Sequence, residues 1–107
     1  MYLFTYKDKF SRDFSLKKQI RDSSGSVMDN IAEGFNRGGN KEFSQYLSIS
    51  RGSVGEVKSQ LYRSIDQNYI SAEEFKTAKD LSDQIGKAIT GLMNYLKRSN
   101  LKGFKYQ

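Results

Sequence analysis

Apolar residues recur at steps of three and four along most of the chain, and short stretches rich in Gly, Asn and Ser separate the runs. Proline is absent, so nothing breaks these patterns from within. The first pattern covers about residues 16–35 and puts Leu16, Ile20, Val27, Ile31 and Phe35 on one stripe. Ser23 or Ser24 fills the gap in that stripe, and so small a side chain predicts tight packing against a neighbour there. Gly34 and then Asn36-Arg37-Gly38-Gly39-Asn40 mark its end, because glycine takes the left-handed conformation that closes a helix. Asn40 is then a natural N-cap for the next helix.

The second pattern, about residues 41–68, spaces Phe43, Leu47, Ser50, Val54, Val57, Leu61 and Ile65 as a left-handed packing seam. Gly52, Ser53 and Gly55 interrupt it, and each glycine costs roughly 1 kcal/mol against alanine in a helix interior. Close approach of a second backbone is one reason to keep them. Ser71-Ala72-Glu73-Glu74 has the form of a capping box. It opens a third helix that carries Phe75, Ala78, Leu81, Ile85, Ala88, Ile89, Leu92 and Leu96 on one face and runs to about Arg98. The aromatic opening, Tyr2-Leu3-Phe4-Thr5-Tyr6-Lys7, fits either the last turns of a helix or a single strand.

A chain of 107 residues has room for one domain and one core. We divide it into a helical domain, residues 1–98, and a basic tail, residues 99–107. Hydrophobic residues make up 36% of the chain and charged residues 28%, which leaves the core of one subunit thin and makes self-association an expected source of further burial. With no cysteine and no histidine, disulfides, thiolate nucleophiles, imidazole bases and nearly all zinc ligand sets are excluded, and no cofactor is expected. No apolar run approaches the length of a membrane span or a secretory signal, so the expected compartment is the cytoplasm. The formal charge of +6 permits association with polyanions without requiring it.

Candidate chemistry is sparse. Glu33 and Glu56 lie on glycine-flanked stretches of neighbouring predicted helices, and with Asn30, Ser53 and Arg51 they could form a polar cluster. Such a cluster serves either as a carboxylate pair or hard-metal site, or as a structural device in which Arg21, Arg51 or an amide holds a carboxylate and fixes helix register or a subunit contact. The second reading is preferred, because catalytic and metal sites gather more ligands than these. Gly38-Gly39-Asn40-Lys41 lacks the Gly-Lys-Ser/Thr ending of a nucleotide loop and reads better as a plain interhelical turn than as a phosphate cradle. The candidate nucleic-acid contacts are Lys17, Lys18, Arg37, Lys41, Lys97, Arg98, Lys102 and Lys105. In the tail, Phe104 and Tyr106 interleave with the cations, a composition that suits backbone contact plus stacking on bases as well as it suits a solvated terminus. Tyr2, Phe4, Tyr6 and Phe10 crowd a short charged segment and are candidates for a subunit interface.

One set of words in the sequence is more specific. Gln19-Ile20-Arg21, Asn30-Ile31-Ala32-Glu33-Gly34-Phe35, Lys41-Glu42-Phe43, Tyr46-Leu47, Gly52-Ser53, Glu56-Val57, Gln60-Leu61 and Asn68-Tyr69-Ile70 occur in order over about half the chain. Together they resemble the 23S rRNA intervening-sequence proteins. The resemblance implies an antiparallel, up-and-down four-helix bundle that assembles as a homopentameric ring in bacteria, with no enzymatic activity attached. It also implies kinship of fold with the accessory proteins of diversity-generating retroelements, in which a basic ring engages nucleic acid and a reverse transcriptase. Two departures stand out. The matching region starts near the end of the family's first helix, so either that helix is truncated or the start was chosen differently, and a shortened helix predicts an exposed seam of Val27, Ile31, Leu61 and Ile85. Met28 replaces a proline frequent in the family, which predicts a straighter helix.

The sequence therefore predicts an all-α, antiparallel four-helix bundle with a shortened first helix, a homo-oligomer that is not an enzyme and not a membrane protein. The leading expectation for function is a scaffold or adaptor that binds RNA, DNA or a nucleic-acid enzyme through a basic surface. The rival is a protein-interaction module with no nucleic-acid role, and a metal-dependent hydrolase on Glu33 and Glu56 is a remote third.

Overall fold

In the structure, a computed structural model, residues 2–103 are described, with side-chain surroundings for residues 2–99. Five helices follow one another: α1 (Tyr2–Thr5), α2 (Asp8–Arg12), α3 (Phe14–Arg37), α4 (Asn40–Asp66) and α5 (Ala72–Gly103). There is no strand among the described residues. The opening segment is thus helical, though broken at Tyr6 and Lys7. The architecture is the all-α bundle predicted, a rod 55 Å long in which the first of four helical positions is filled only by α1 and α2.

Side-chain chemistry accounts for each boundary. Asp13 caps α3, its Oδ1 accepting from the Leu16 amide at 3.0 Å, while its Oδ2 accepts from the Tyr69 hydroxyl at 3.0 Å. That second bond raises the Tyr69 pKa, mainly because Asp13 holds the phenol proton. Gly38 closes α3 in the left-handed conformation at φ 84°. Gly39, not Asn40, then stands as the N-cap of α4, with no side-chain cap, so the predicted role of Asn40 is corrected: it is the first helical residue. Beyond α4, Asn68 adopts φ 60°. The Asn68 amide bonds the carbonyl of Ile65 and the Tyr69 amide that of Ser64, a Schellman closure in which Asn takes the place glycine usually holds. The capping box forms as read: Ser71 Oγ accepts from the Glu74 amide at 3.0 Å and Glu74 Oε1 from the Ser71 amide at 2.9 Å. Helix α5 continues past Arg98 to Gly103, the last described residue.

Helix α4 is central. It packs along both α3 and α5, which barely touch each other. At one end Phe10, Leu16, Ile20, Val57, Leu61, Ile70 and Ala78 form a core against which Phe4, Ile65, Tyr69 and Phe75 pack. Toward the other end Val27, Leu47, Val54, Ile89 and Leu96 form a second. The short N-terminal helices cover the first core, so Leu61 is fully buried, against its expected exposure; Val27 is buried too, but in the second core. Phe35, predicted on the buried stripe, is instead 71% exposed, with its ring edge-on to Phe43 at 5.9 Å. Leu81 and Ala88 also face water.

Gly34 does not end a helix. It is buried within α3, where an added Cβ would stand 2.6 Å from Cβ of Tyr46 and 3.0 Å from Phe43 Cδ1. Close approach of α3 and α4 requires it. Gly52 and Gly55 show the reverse, with nothing within 4 Å of an added Cβ, so packing inside the subunit does not explain them.

Candidate functional site

The polar cluster predicted from Arg21, Asn30, Glu33, Arg51, Ser53 and Glu56 does not assemble. Only its amide and hydroxyl members meet, as a zipper between α3 and α4. Ser26 and Ser53 share a hydrogen bond of 2.8 Å, and Asn30 Nδ2 donates to the Ser26 carbonyl and hydroxyl at 2.8 and 2.9 Å. Ser50 donates to the Val27 carbonyl at 2.7 Å, and Gln60 Nε2 donates to Ser23 Oγ at 3.1 Å. Small hydroxyl side chains let the two backbones approach and satisfy most of the polar atoms this buries, Gln60 Oε1 excepted. Glu33 is half exposed and pairs with Arg37 one turn along its own helix, and Glu56 is exposed. Arg21 and Arg51 hold neither carboxylate: Arg51 donates to Thr90 at 3.3 Å and Arg21 turns to Thr5. Among the described residues no three metal-ligating side chains converge.

The basic candidates separate to the two ends of the rod. Near the α3–α4 turn, Lys41 and Lys97 line a shallow cleft of about 420 Å³ with Asn40, Gln45 and Asn94. Arg37 lies over the Tyr46 ring at 5.5 Å, and its bond to Glu33 raises its pKa further. Gly38 and Gly39 there form the turn already described, with Lys41 exposed on the first turn of α4. Arg98 is exposed on α5. Lys102 falls in the last turn of α5 beyond the side chains described, and Lys105, Phe104 and Tyr106 lie outside the described residues.

At the opposite end, Lys17 and Lys18 are joined by a residue the sequence had placed elsewhere. The Arg21 guanidinium lies 4.7 Å from the centre of the Tyr2 ring and 5.2 Å from that of Tyr6, and donates twice to Thr5 Oγ1. Lys17 Nζ stands 5.2 Å from the Phe14 ring centre. No carboxylate lies within 4.0 Å of Lys17 or Arg21 among the described residues, whereas Lys18 pairs with Asp22 at 2.6 Å, which raises the Lys18 pKa. Of the four aromatic residues read as an interface, Tyr2 and Tyr6 are more than half exposed, Phe4 is half-buried, and Phe10 is 0% exposed and belongs to the core. Phe10 is therefore corrected from interface to core, since α2 folds back onto Leu16 and Ile20.

A third surface is apolar. Where α1 ends, the channel between α3 and α5 stays open as a groove of about 170 Å³ lined by Val27, Met28, Val54, Val57, Leu81 and Ile85. Met28 and Leu81, which line it, are more than half exposed, as are Phe35 and Tyr95 further along α3 and α5. The nearby Ser24 Oγ is buried without a hydrogen-bond partner. No helix among the described residues is long and apolar enough to cross a membrane.

Compared with known proteins, residues 1–91 match the family model described as 23S rRNA-intervening sequence protein. No curated protein and no solved structure matches the chain.

Proposed function

The chain belongs to the 23S rRNA-intervening sequence protein family, and we propose that it is a non-enzymatic, self-assembling helical scaffold or adaptor that binds nucleic acid, or an enzyme acting on nucleic acid, through its basic surface. The observation that carries this reading is the concentration of cations at the N-terminal end, where no carboxylate among the described residues lies within 4.0 Å of Lys17 or Arg21. Unpaired cations keep their full charge for a phosphate backbone and release its counterions on contact. The family's description supports an RNA-related role. The cytoplasm, where ribosomal RNA resides, is the compartment this reading requires.

Self-assembly, as a pentamer by family resemblance, is supported by the thin core and by the uncovered groove between α3 and α5. The same groove favours the second reading, a protein-interaction module without a nucleic-acid role. Light scattering behind size exclusion, with and without a short single-stranded RNA at low and moderate salt, separates the two. A multimer whose mass rises with RNA at low salt and not at moderate salt is the expected result. A multimer indifferent to RNA at both would leave the interaction module, and a monomer would remove the assembly.

A further inference from the structure

Residues 1–21 hold six cations against two carboxylates, a surplus of four within a chain whose total is +6. Most of the protein's excess charge therefore sits in its first fifth. Of the two carboxylates, Asp13 already accepts from the Leu16 amide and the Tyr69 hydroxyl. Interleaved with the cations are aromatic rings that the core does not use: Tyr6 is 69% exposed and Phe14 73%. Each ring lies beside a cation with no carboxylate partner. Along α3 the spacing of Phe14, Lys17, Lys18 and Arg21 keeps these groups on one side of the helix, and the Arg21 contacts bring Tyr2 and Tyr6 to it.

From this arrangement we infer that Tyr2, Tyr6 and Phe14, set among Lys17, Lys18 and Arg21, form a stacking platform for the unpaired bases of a single-stranded nucleic acid. The inference rests on the nucleic-acid reading above and narrows it to one surface and one ligand class. Exposed rings offer faces for bases, and a guanidinium plane stacks on a base as readily as on tyrosine. Bases in a duplex are already stacked, so only a single strand can use the rings, while either form can meet the cations with its phosphates. A protein partner fits this surface less well, because interface centres are depleted of lysine, and the protein has an apolar groove elsewhere that suits such a partner better.

The test is fluorescence anisotropy on the full chain with a labelled 12-nucleotide oligouridine and with an RNA duplex of equal length, at low and moderate salt. Single strand is expected to bind tighter than duplex. Phe14→Ala and Tyr6→Ala are each expected to weaken single-strand binding on the order of tenfold without changing its salt dependence, with binding retained in Phe14→Tyr and Tyr6→Phe. Lys17→Ala is expected to weaken both forms and lower the salt slope by about one. Equal binding of single strand and duplex, with both alanine variants unaffected, would overturn the platform and leave the broader nucleic-acid reading standing. Alanine variants that alter only the mass in light scattering would make the surface a protein interface. No binding at either salt would overturn both readings.

Discussion

Arg21 donates two hydrogen bonds to Oγ1 of Thr5, from Nε at 2.9 Å and Nη2 at 2.7 Å, and Thr5 is fully buried. That hydroxyl in turn donates to the Tyr2 carbonyl at 2.7 Å. Arg21 therefore ties α1 to α3, while α2 is held by Phe10 packed on Leu16 and Ile20. Thr5→Val keeps the shape and removes the acceptor, and should cost about 1–2 kcal/mol, since bonds to charged groups exceed neutral ones. Urea unfolding gives the value, and tyrosine fluorescence should report the release of Tyr2 and Tyr6 from Arg21. A stability unchanged from wild type would show that the anchor lies elsewhere, with Phe10 as the next choice.

Two glycines should answer to alanine with opposite signs. Gly34→Ala forces a Cβ against Tyr46 and Phe43 in the α3–α4 contact and should destabilise by roughly 1–3 kcal/mol. Gly52→Ala meets nothing inside the subunit and should stabilise an isolated subunit by up to about 1 kcal/mol. Thermal melts of both variants at several protein concentrations check this. A Gly52→Ala protein that loses mass in light scattering would place that glycine against a second copy.

Acid should loosen the junction of α2 and α5. The Lys7 ammonium, and after it the Ser71 amide, hold the Glu74 pKa below the usual carboxylate range. A depressed pKa contributes stability that is complete above the unfolded value, about 4.3, and is lost as pH falls through the lower folded value. Urea midpoints should therefore drop below about pH 4.3, and less steeply in Glu74→Gln. Asp83, lowered by Lys79 and then Lys58, adds to the same trend, so the variant should flatten the profile without abolishing it. Identical pH profiles for the two proteins would mean the Lys7 contact does not persist in solution.

The open groove makes a prediction about mass. Met28→Glu with Leu81→Glu puts two carboxylates on residues more than half exposed, where neither should harm the fold of one subunit. If self-association covers this groove, the double variant should sediment as a monomer while keeping its helical circular dichroism. An unchanged multimer would assign assembly to another face, with the outer side of α4 around Gly52 as the alternative.

The sequence by itself determined the helices, because their signals are local. Three-and-four spacing, the Gly38 stop and the Ser71–Glu74 capping box each act within a turn or two, and all appear in the structure as read. The buried seam of Leu47, Ser50, Val54, Val57 and Leu61 was legible for the same reason. Only tertiary structure decided what those helices cover. Periodicity put Phe35 and Leu81 on apolar stripes without revealing that no helix among the described residues buries them. It marked Gly34 as a helix end, although the glycine exists for Tyr46 on another helix. It grouped Arg21 with Glu33 and Glu56, whereas the fold turned Arg21 toward Thr5, Tyr2 and Tyr6, fifteen residues or more away along the chain. Contacts at such separation depend on how whole helices dock, and no short-range pattern encodes that.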